Sequence, residues 1–131
     1  MKKTGILHKE LAACIAAIGH YDQLSVVSCL SGIPKDTKVI DLALTRGIPS
    51  MIDVIAAMEE EMLIEKLIIA EELEANNPEL YQYIKNKFPS EIIELVPNEM
   101  LKQKAVQSKS FVRTGENMRF SNILLQAGYS S

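Results

Sequence analysis

Lys66-Leu67-Ile68-Ile69-Ala70 is a short apolar run with no polar interruption. A strand with one wet face interleaves polar residues, so an unbroken run of this length fits a strand buried on both faces. Its flanks read differently. Upstream, Met51 to about Leu63 carries Ile52, Ile55, Met58 and Met62 at three- and four-residue steps, the stripe of an amphipathic helix. Ser50 and Asp53 precede that stripe at capping-box spacing, with Asp in place of the commoner Glu. Downstream, Asn77-Pro78 opens a second helix, Asn as the cap and Pro at the first helical position. That helix runs to about Phe88 and stops at Pro89. A doubly buried strand between two helices is the repeating unit of a layered α/β protein.

The same alternation extends outward. Leu11, Cys14, Ile15 and Ile18 make Leu7 to Ile18 an amphipathic helix, and Gly19 follows where helices commonly end in a left-handed residue. Leu24 to Cys29 reads as a strand broken by Ser31-Gly32-Ile33-Pro34, and Val39 to Leu44 as a second, closed by Arg46-Gly47-Ile48-Pro49. Glu91 to Val96 is another strand, and a short helix begins near Asn98. Phe111 to Arg113 and Asn122 to Leu125 are strands either side of a turn around Gly115. No internal repeat, low-complexity tract or linker interrupts the chain. The expectation is one α/β domain over residues 1–131: three layers, αβα, with a mostly parallel sheet flanked by helices. In such sheets ligands gather at the carboxyl ends of the strands.

Composition narrows the partners. The 131 residues are 47% apolar and 24% charged, which is ordinary for a folded domain and excludes disorder. Fourteen Lys and Arg against seventeen Asp and Glu leave a net charge of -3, a poor match for nucleic acid or an anionic membrane surface. Lys9 and Glu10 interrupt the start before a signal-peptide core forms, and no apolar run reaches the roughly 18 residues of a membrane span. A soluble, cytoplasmic protein is expected. Two cysteines, Cys14 and Cys29, are too few for a disulfide framework and lack metal-ligand spacing, so no metal is expected.

Few catalytic patterns are present. There is no Gly-x-Gly-x-x-Gly, and Ser31 to Thr37 lacks the Gly-Lys-Ser/Thr ending of a phosphate loop, so it reads as a turn. Cys29 reads as a small buried hydrophobe, Met51 to Met62 as helix core and Glu59-Glu60-Glu61 as a solvated face. Lys102, Lys104, Lys109 and Arg113 make the last third locally basic, a scattered surface rather than an anion site. His20 stands out. Just past a helix C-terminus it is stabilised as a cation by the helix dipole, and it is equally a group able to give and take protons at neutral pH. The residues alone leave both readings open.

Lys3-Thr4-Gly5-Ile6-Leu7, Ile18-Gly19-His20 with Asp22, Ile40-Asp41-Leu42-Ala43-Leu44, Gly47-Ile48-Pro49-Ser50, Asn77-Pro78-Glu79-Leu80, Val96-Pro97 and Arg113-Thr114-Gly115-Glu116 recur in order along nearly the whole chain. In these the sequence resembles the D-ribose pyranases, sugar mutarotases to which fucose mutarotase is a more distant relative. The resemblance implies a cofactor-free isomerase that interconverts pyranose and furanose forms of D-ribose or a related monosaccharide by ring opening. It also implies a homo-oligomeric ring, octamer or decamer, with active sites between subunits. It places the catalytic proton donor on His20 and sugar-binding positions on Lys102, Phe120, Ser121 and Asn122.

Three positions depart from the family pattern. Ser28 stands where the family has a sugar-holding aspartate, Asn98 where it has a histidine and Phe120 where it has a tyrosine. Each hydrogen bond lost to a buried sugar hydroxyl costs about 1–3 kcal/mol. The alternative expectation is therefore a catalytically degenerate paralogue that binds a sugar or serves as an oligomeric interaction protein.

Overall fold

A computed structural model describes residues 1–129. In chain order the elements are α1 (Lys9–Ala17), β1 (Gln23–Val27), β2 (Val39–Asp41), α2 (Met51–Glu59), β3 (Ile64–Ala70), α3 (Leu73–Asn76), α4 (Pro78–Lys87), a single 3-10 turn (Ser90–Ile92), β4 (Ile93–Val96), α5 (Asn98–Ala105), β5 (Ser110–Arg113) and β6 (Ile123–Ala127). The six strands form one sheet in the order β2-β5-β1-β6-β3-β4. Five run in the same direction; β6 alone is reversed, antiparallel to β1 on one side and to β3 on the other. The mostly parallel α/β sheet expected from the sequence is present. The strands on either side of Gly115 are not neighbours, because β1 lies between them.

Alternation along the strands builds two cores. Leu24 and Val26 of β1, Leu67 and Ile69 of β3, Val112 of β5, and Ile123 and Leu125 of β6 face α1, α2 and α4 in one large apolar cluster. Their alternates face the other way: Ile68, Ala70 and Leu124 pack with Val96 and with Leu101 of α5 in a much smaller cluster. Helices cover both faces, as a three-layer arrangement requires, but unequally. Four helices, α1 to α4, contribute to the larger core, and α5 bears on the smaller one.

The helix signals act as their chemistry dictates. Ser50 Oγ accepts from the Asp53 amide and the Asp53 carboxylate accepts from the Ser50 amide, so the capping box holds with Asp in it. α1 ends differently from the expectation at Gly19: the chain leaves through an extended Ile18, and the left-handed residue is Tyr21, at φ 73°. Cys14 is buried as expected, whereas Cys29 is only half-buried. Lys109 pairs with Asp22 and Arg113 with Asp41, so the basic C-terminal residues are largely paired surface.

One polar knot fixes the segment before β6. Asn77, only 6% exposed, accepts from the Leu80 amide as the α4 cap and donates to Ser121 Oγ at 2.9 Å. Its amide also lies 3.4 Å from the Glu116 carboxylate, whose other oxygen accepts from the Met51 amide at the start of α2. Gly115 is needed beside it, since a Cβ there would run into the Ile48 backbone. Asn77→Ala deletes the cap and strands two buried partners. It is expected to cost about 2–3 kcal/mol, read as a lower urea midpoint at unchanged slope.

Candidate functional site

The uneven helix cover leaves a cavity on the face that α5 only half protects. Its volume is about 630 Å³, within the usual range for small-molecule sites. Ser25 and Val27 of β1, Phe111 of β5 and Leu124 of β6 form its floor, and Leu101 and Ala105 of α5 form one wall. The segment Ser31 to Pro34 forms another, so the stretch read as a turn is an irregular loop with a lining role that turns only at Lys35-Asp36. The cavity opens beyond Val27, at the carboxyl end of β1, where ligand sites in such sheets belong.

Five of the expected site residues meet here: Ser28, Asn98, Lys102, Phe120 and Asn122 all line the cavity. Asn122 organises the rim. Its Oδ1 accepts from the Ser28 amide at 2.9 Å and its Nδ2 donates to Ser31 Oγ at 3.1 Å, tying the start of β6 to the loop after β1. Ser28 is 4% exposed, and its Oγ accepts from the Leu30 amide at 3.3 Å. Phe120 sits at φ 61°, a left-handed conformation that costs a bulky residue energy and that the flanking hydrogen bonds must enforce. Asn98 opens α5, where its backbone amide donates to Glu72 at 3.0 Å. Lys102 is well exposed and lies 3.5 Å from Glu99 on the same helix.

Ser121 and His20 fall elsewhere. Ser121 is 1% exposed and turned inward to Asn77, away from the cavity, so in this chain its side chain fixes the backbone on which Phe120 and Asn122 sit. His20 precedes β1, whereas the cavity rim at Ser28 and Asn122 lies past its far end, a separation of roughly 15–20 Å at strand rise. Its Nε2 is 3.0 Å from Glu65 Oε2, its ring stacks on Tyr21 with centroids 3.6 Å apart, and Tyr129 approaches from another side at 4.5 Å. Glu65 is held in turn: Gln126 donates to its other oxygen at 2.8 Å, and Gln23 donates to Gln126 at 3.0 Å. The Gln126 hydrogen bond holds the Glu65 carboxyl below the usual carboxylate range; partial burial opposes this and the His20 contact adds to it.

Sequence reasoning missed Arg119, which lines the cavity with its guanidinium 5.3 Å from the Phe120 ring. It also missed the whole support of His20. Arg119 adjoins two positions that were singled out, which is a usable signal; Glu65 lies 45 residues from His20 and offered none. Among the described residues the cavity lining holds no carboxylate, and its only charged residues are Lys102 and Arg119. Among the described residues the lining also holds no histidine and no cysteine. A second hollow of about 490 Å³ contains Asp41 and Asp53, but Arg113 engages the first and the Ser50 cap the second. Among the described residues no three His, Cys, Asp or Glu converge as metal ligands, and no helix is long and apolar enough to cross a membrane.

The model of the RbsD / FucU transport protein family matches residues 1–130. The chain belongs to this family. It is 43% identical over 128 residues to the D-ribose pyranase of Bacillus cytotoxicus and 40% identical over 129 residues to that of Kosmotoga olearia, covering 98% of each chain in both cases. The structure of Bacillus subtilis RbsD complexed with D-ribose superposes at a TM-score of 0.94, with 37% identity and full coverage of both chains. The fucose mutarotase of Streptococcus pneumoniae shares the fold at a TM-score of 0.78 with 14% identity over 99% of this chain and all of that one.

The rim depends on Asn122. Asn122→Ala frees the Ser28 amide and the Ser31 hydroxyl, for a stability loss of about 1–2 kcal/mol. Amide hydrogen exchange at Ser28 should then accelerate by about tenfold or more while the β3 amides stay protected.

Proposed function

We propose that this protein interconverts the pyranose and furanose forms of D-ribose or a closely related monosaccharide, with His20 as the general acid and base. The full-length likeness to D-ribose pyranases carries this reading. A base takes the anomeric hydroxyl proton, an acid protonates the ring oxygen, and the hemiacetal opens to a free aldehyde. A different hydroxyl then closes the ring and the protons return. The steps are proton transfers alone, so no cofactor is required, and each assisted transfer contributes about 10²–10⁴-fold. Sugar would be held by Lys102 and Asn122, with Phe120 as an apolar surface and Ser121 supporting from behind; Ser28 and Asn98 complete the rim.

The distance between His20 and the cavity rim supports a site shared between copies. Among the described residues the cavity brings no histidine, cysteine or carboxylate of its own, and His20 stands before the opposite end of β1 from its rim. The two halves meet if His20 of one copy enters the cavity of another, which is the arrangement of a homo-oligomeric ring of eight or ten copies with sites between them. Strongly exposed apolar side chains, Leu44 at 80%, Leu7 at 64% and Val106 at 62%, supply surface that contacts between copies would cover. In this reading residues 1–131 work as one domain. The free cysteines suit a reducing compartment, the cytoplasm.

A second reading has its own support. With Ser28, Asn98 and Phe120 at the rim and no carboxylate in the lining, the chain would bind a sugar without turning it over. Saturation-transfer NMR on the anomeric protons of ribose and fucose separates the two. Faster pyranose–furanose exchange is expected for a working mutarotase, and binding without faster exchange would establish the silent binder. His20→Ala should abolish exchange with the fold intact. Asn122→Ala should do so through the cavity. Co-refolded mixtures of the two variants should regain exchange, because some sites then combine an intact His20 with an intact cavity; no recovery would rule out shared sites. Ser28→Asp, Asn98→His and Phe120→Tyr together should raise ribose exchange.

A further inference from the structure

The cavity carries positive charge for which a neutral sugar has no use. Lys102 and Arg119 line it, and among the described residues no carboxylate in the lining offsets them. The two cations are not equivalent. The Lys102 side chain is 63% exposed and paired with Glu99 at 3.5 Å, so water and that partner screen much of its charge. Arg119 takes part in no ion pair among the described residues, and its guanidinium lies 5.3 Å from the Phe120 ring. By contrast Arg113 donates to both oxygens of Asp41. The backbone that presents Arg119 is fixed from behind. Ser121 Oγ donates to the Arg119 carbonyl at 3.3 Å and itself accepts from Asn77, and Phe120 is held left-handed at φ 61°.

We infer that Arg119 is a specificity-determining residue that extends the site to uronic acids, sugars whose terminal carbon is a carboxylate. The inference rests on the cavity being the sugar site proposed above. A guanidinium is planar and offers paired N–H donors that match the two oxygens of a carboxylate. The surroundings favour a carboxylate over a phosphate. Phosphate sites draw on backbone amides, and those beside this cavity are taken. The amides of Ser28, Cys29, Leu30 and Ser31 donate to Asn122 Oδ1, the Glu116 carbonyl, Ser28 Oγ and the Ser28 carbonyl. The first amide of α5, at Asn98, donates to Glu72. A neighbour's His20 would bring Glu65 with it, but both oxygens of that carboxylate are already engaged, by His20 and by Gln126. A hexuronic acid also keeps the ring chemistry available. Its carboxylate occupies the terminal carbon, and the hydroxyls on the two preceding carbons remain free to close the pyranose or the furanose ring. A pentose phosphorylated on its terminal oxygen has lost the hydroxyl that closes the pyranose.

Matched sugars test this on the parent protein, whether or not a variant folds. D-galactose and D-galacturonate differ only at the terminal carbon, hydroxymethyl in one and carboxylate in the other. Titrated into the full-length protein, galacturonate should bind at least about tenfold more tightly than galactose, with the margin shrinking as salt is raised. Arg119→Gln should bring the two affinities to within about twofold of each other. Arg119→Lys should keep part of the margin, because a point charge then replaces a fork. Equal binding of the two sugars by the parent, or an undiminished margin in Arg119→Gln, would overturn the inference. Galactose phosphorylated at its terminal carbon separates the two kinds of anion, and tighter binding of it than of galacturonate would overturn the carboxylate assignment. Ribose separates the levels. If no monosaccharide, neutral or acidic, is bound or exchanged, the sugar-site reading falls and takes this one with it; if ribose exchange is accelerated while galacturonate holds no margin over galactose, only the role of Arg119 falls.

Discussion

Strand β6 is hydrogen-bonded on both edges and buried on both faces, and the candidate site residues are arranged around its two ends. Ile123 is paired at once with Val26 of β1 and Ile69 of β3, while Leu125 faces the large core and Leu124 the small one. Such a strand cannot shift register by one residue without exchanging its two core faces, so its ends are fixed in space. At its start, Phe120 and Asn122 form the cavity rim; at its finish, Gln126 and Tyr129 hold Glu65 and His20. Reversal of this one strand in an otherwise parallel sheet sets its start beside the carboxyl end of β1.

The unequal helix cover follows from where the apolar surface is. α1, α2 and α4 all present buried stripes to the face built from Leu24, Val26, Leu67, Ile69 and Ile123. The opposite face offers Ser25 and the small Ala70 among its apolar residues, enough to seat α5 and no second helix. Ser25 is satisfied there by Ser108, and the space left beside it is the cavity. A polar residue on the inner face of a central strand is thus part of how the site is made.

The fold was legible where short-range chemistry decides it. The apolar run at Lys66–Ala70, the Ser50 and Asp53 box and the Asn77-Pro78 start all act locally, and each lies where the sequence put it to within a few residues. Strand order was not legible, because insertion of β1 between β5 and β6 depends on pairings about 90 residues apart. The same limit divided the site. Asn122 and Phe120 carried a resemblance and fell in the cavity, whereas the inward turn of Ser121 depends on Asn77, 44 residues away, and the support of His20 depends on Glu65, 45 away. Tyr21 in place of Gly19 as the left-handed residue is a tertiary override, since the Ala127 carbonyl holds the Tyr21 amide.

The two ends of β6 also limit what one chain can accomplish. Five residues of extended strand span about 17 Å, and neither end moves toward the other without breaking hydrogen bonds on both edges. An imidazole anchored at one end therefore cannot swing into a cavity at the other by any local motion. The loops at each end are also fixed, by Asn122 and the Asn77–Glu116–Ser121 knot on one side and by the glutamine relay on the other. Rigidity of this kind suits a site shared between copies. A proton-transfer group must be held within a few tenths of an ångström of its target, and a group brought by a second chain keeps that precision only if both chains present it on fixed supports. On the proposed shared-site reading, the features that separate His20 from the cavity rim within the chain are the ones that would present it to the cavity of a neighbour.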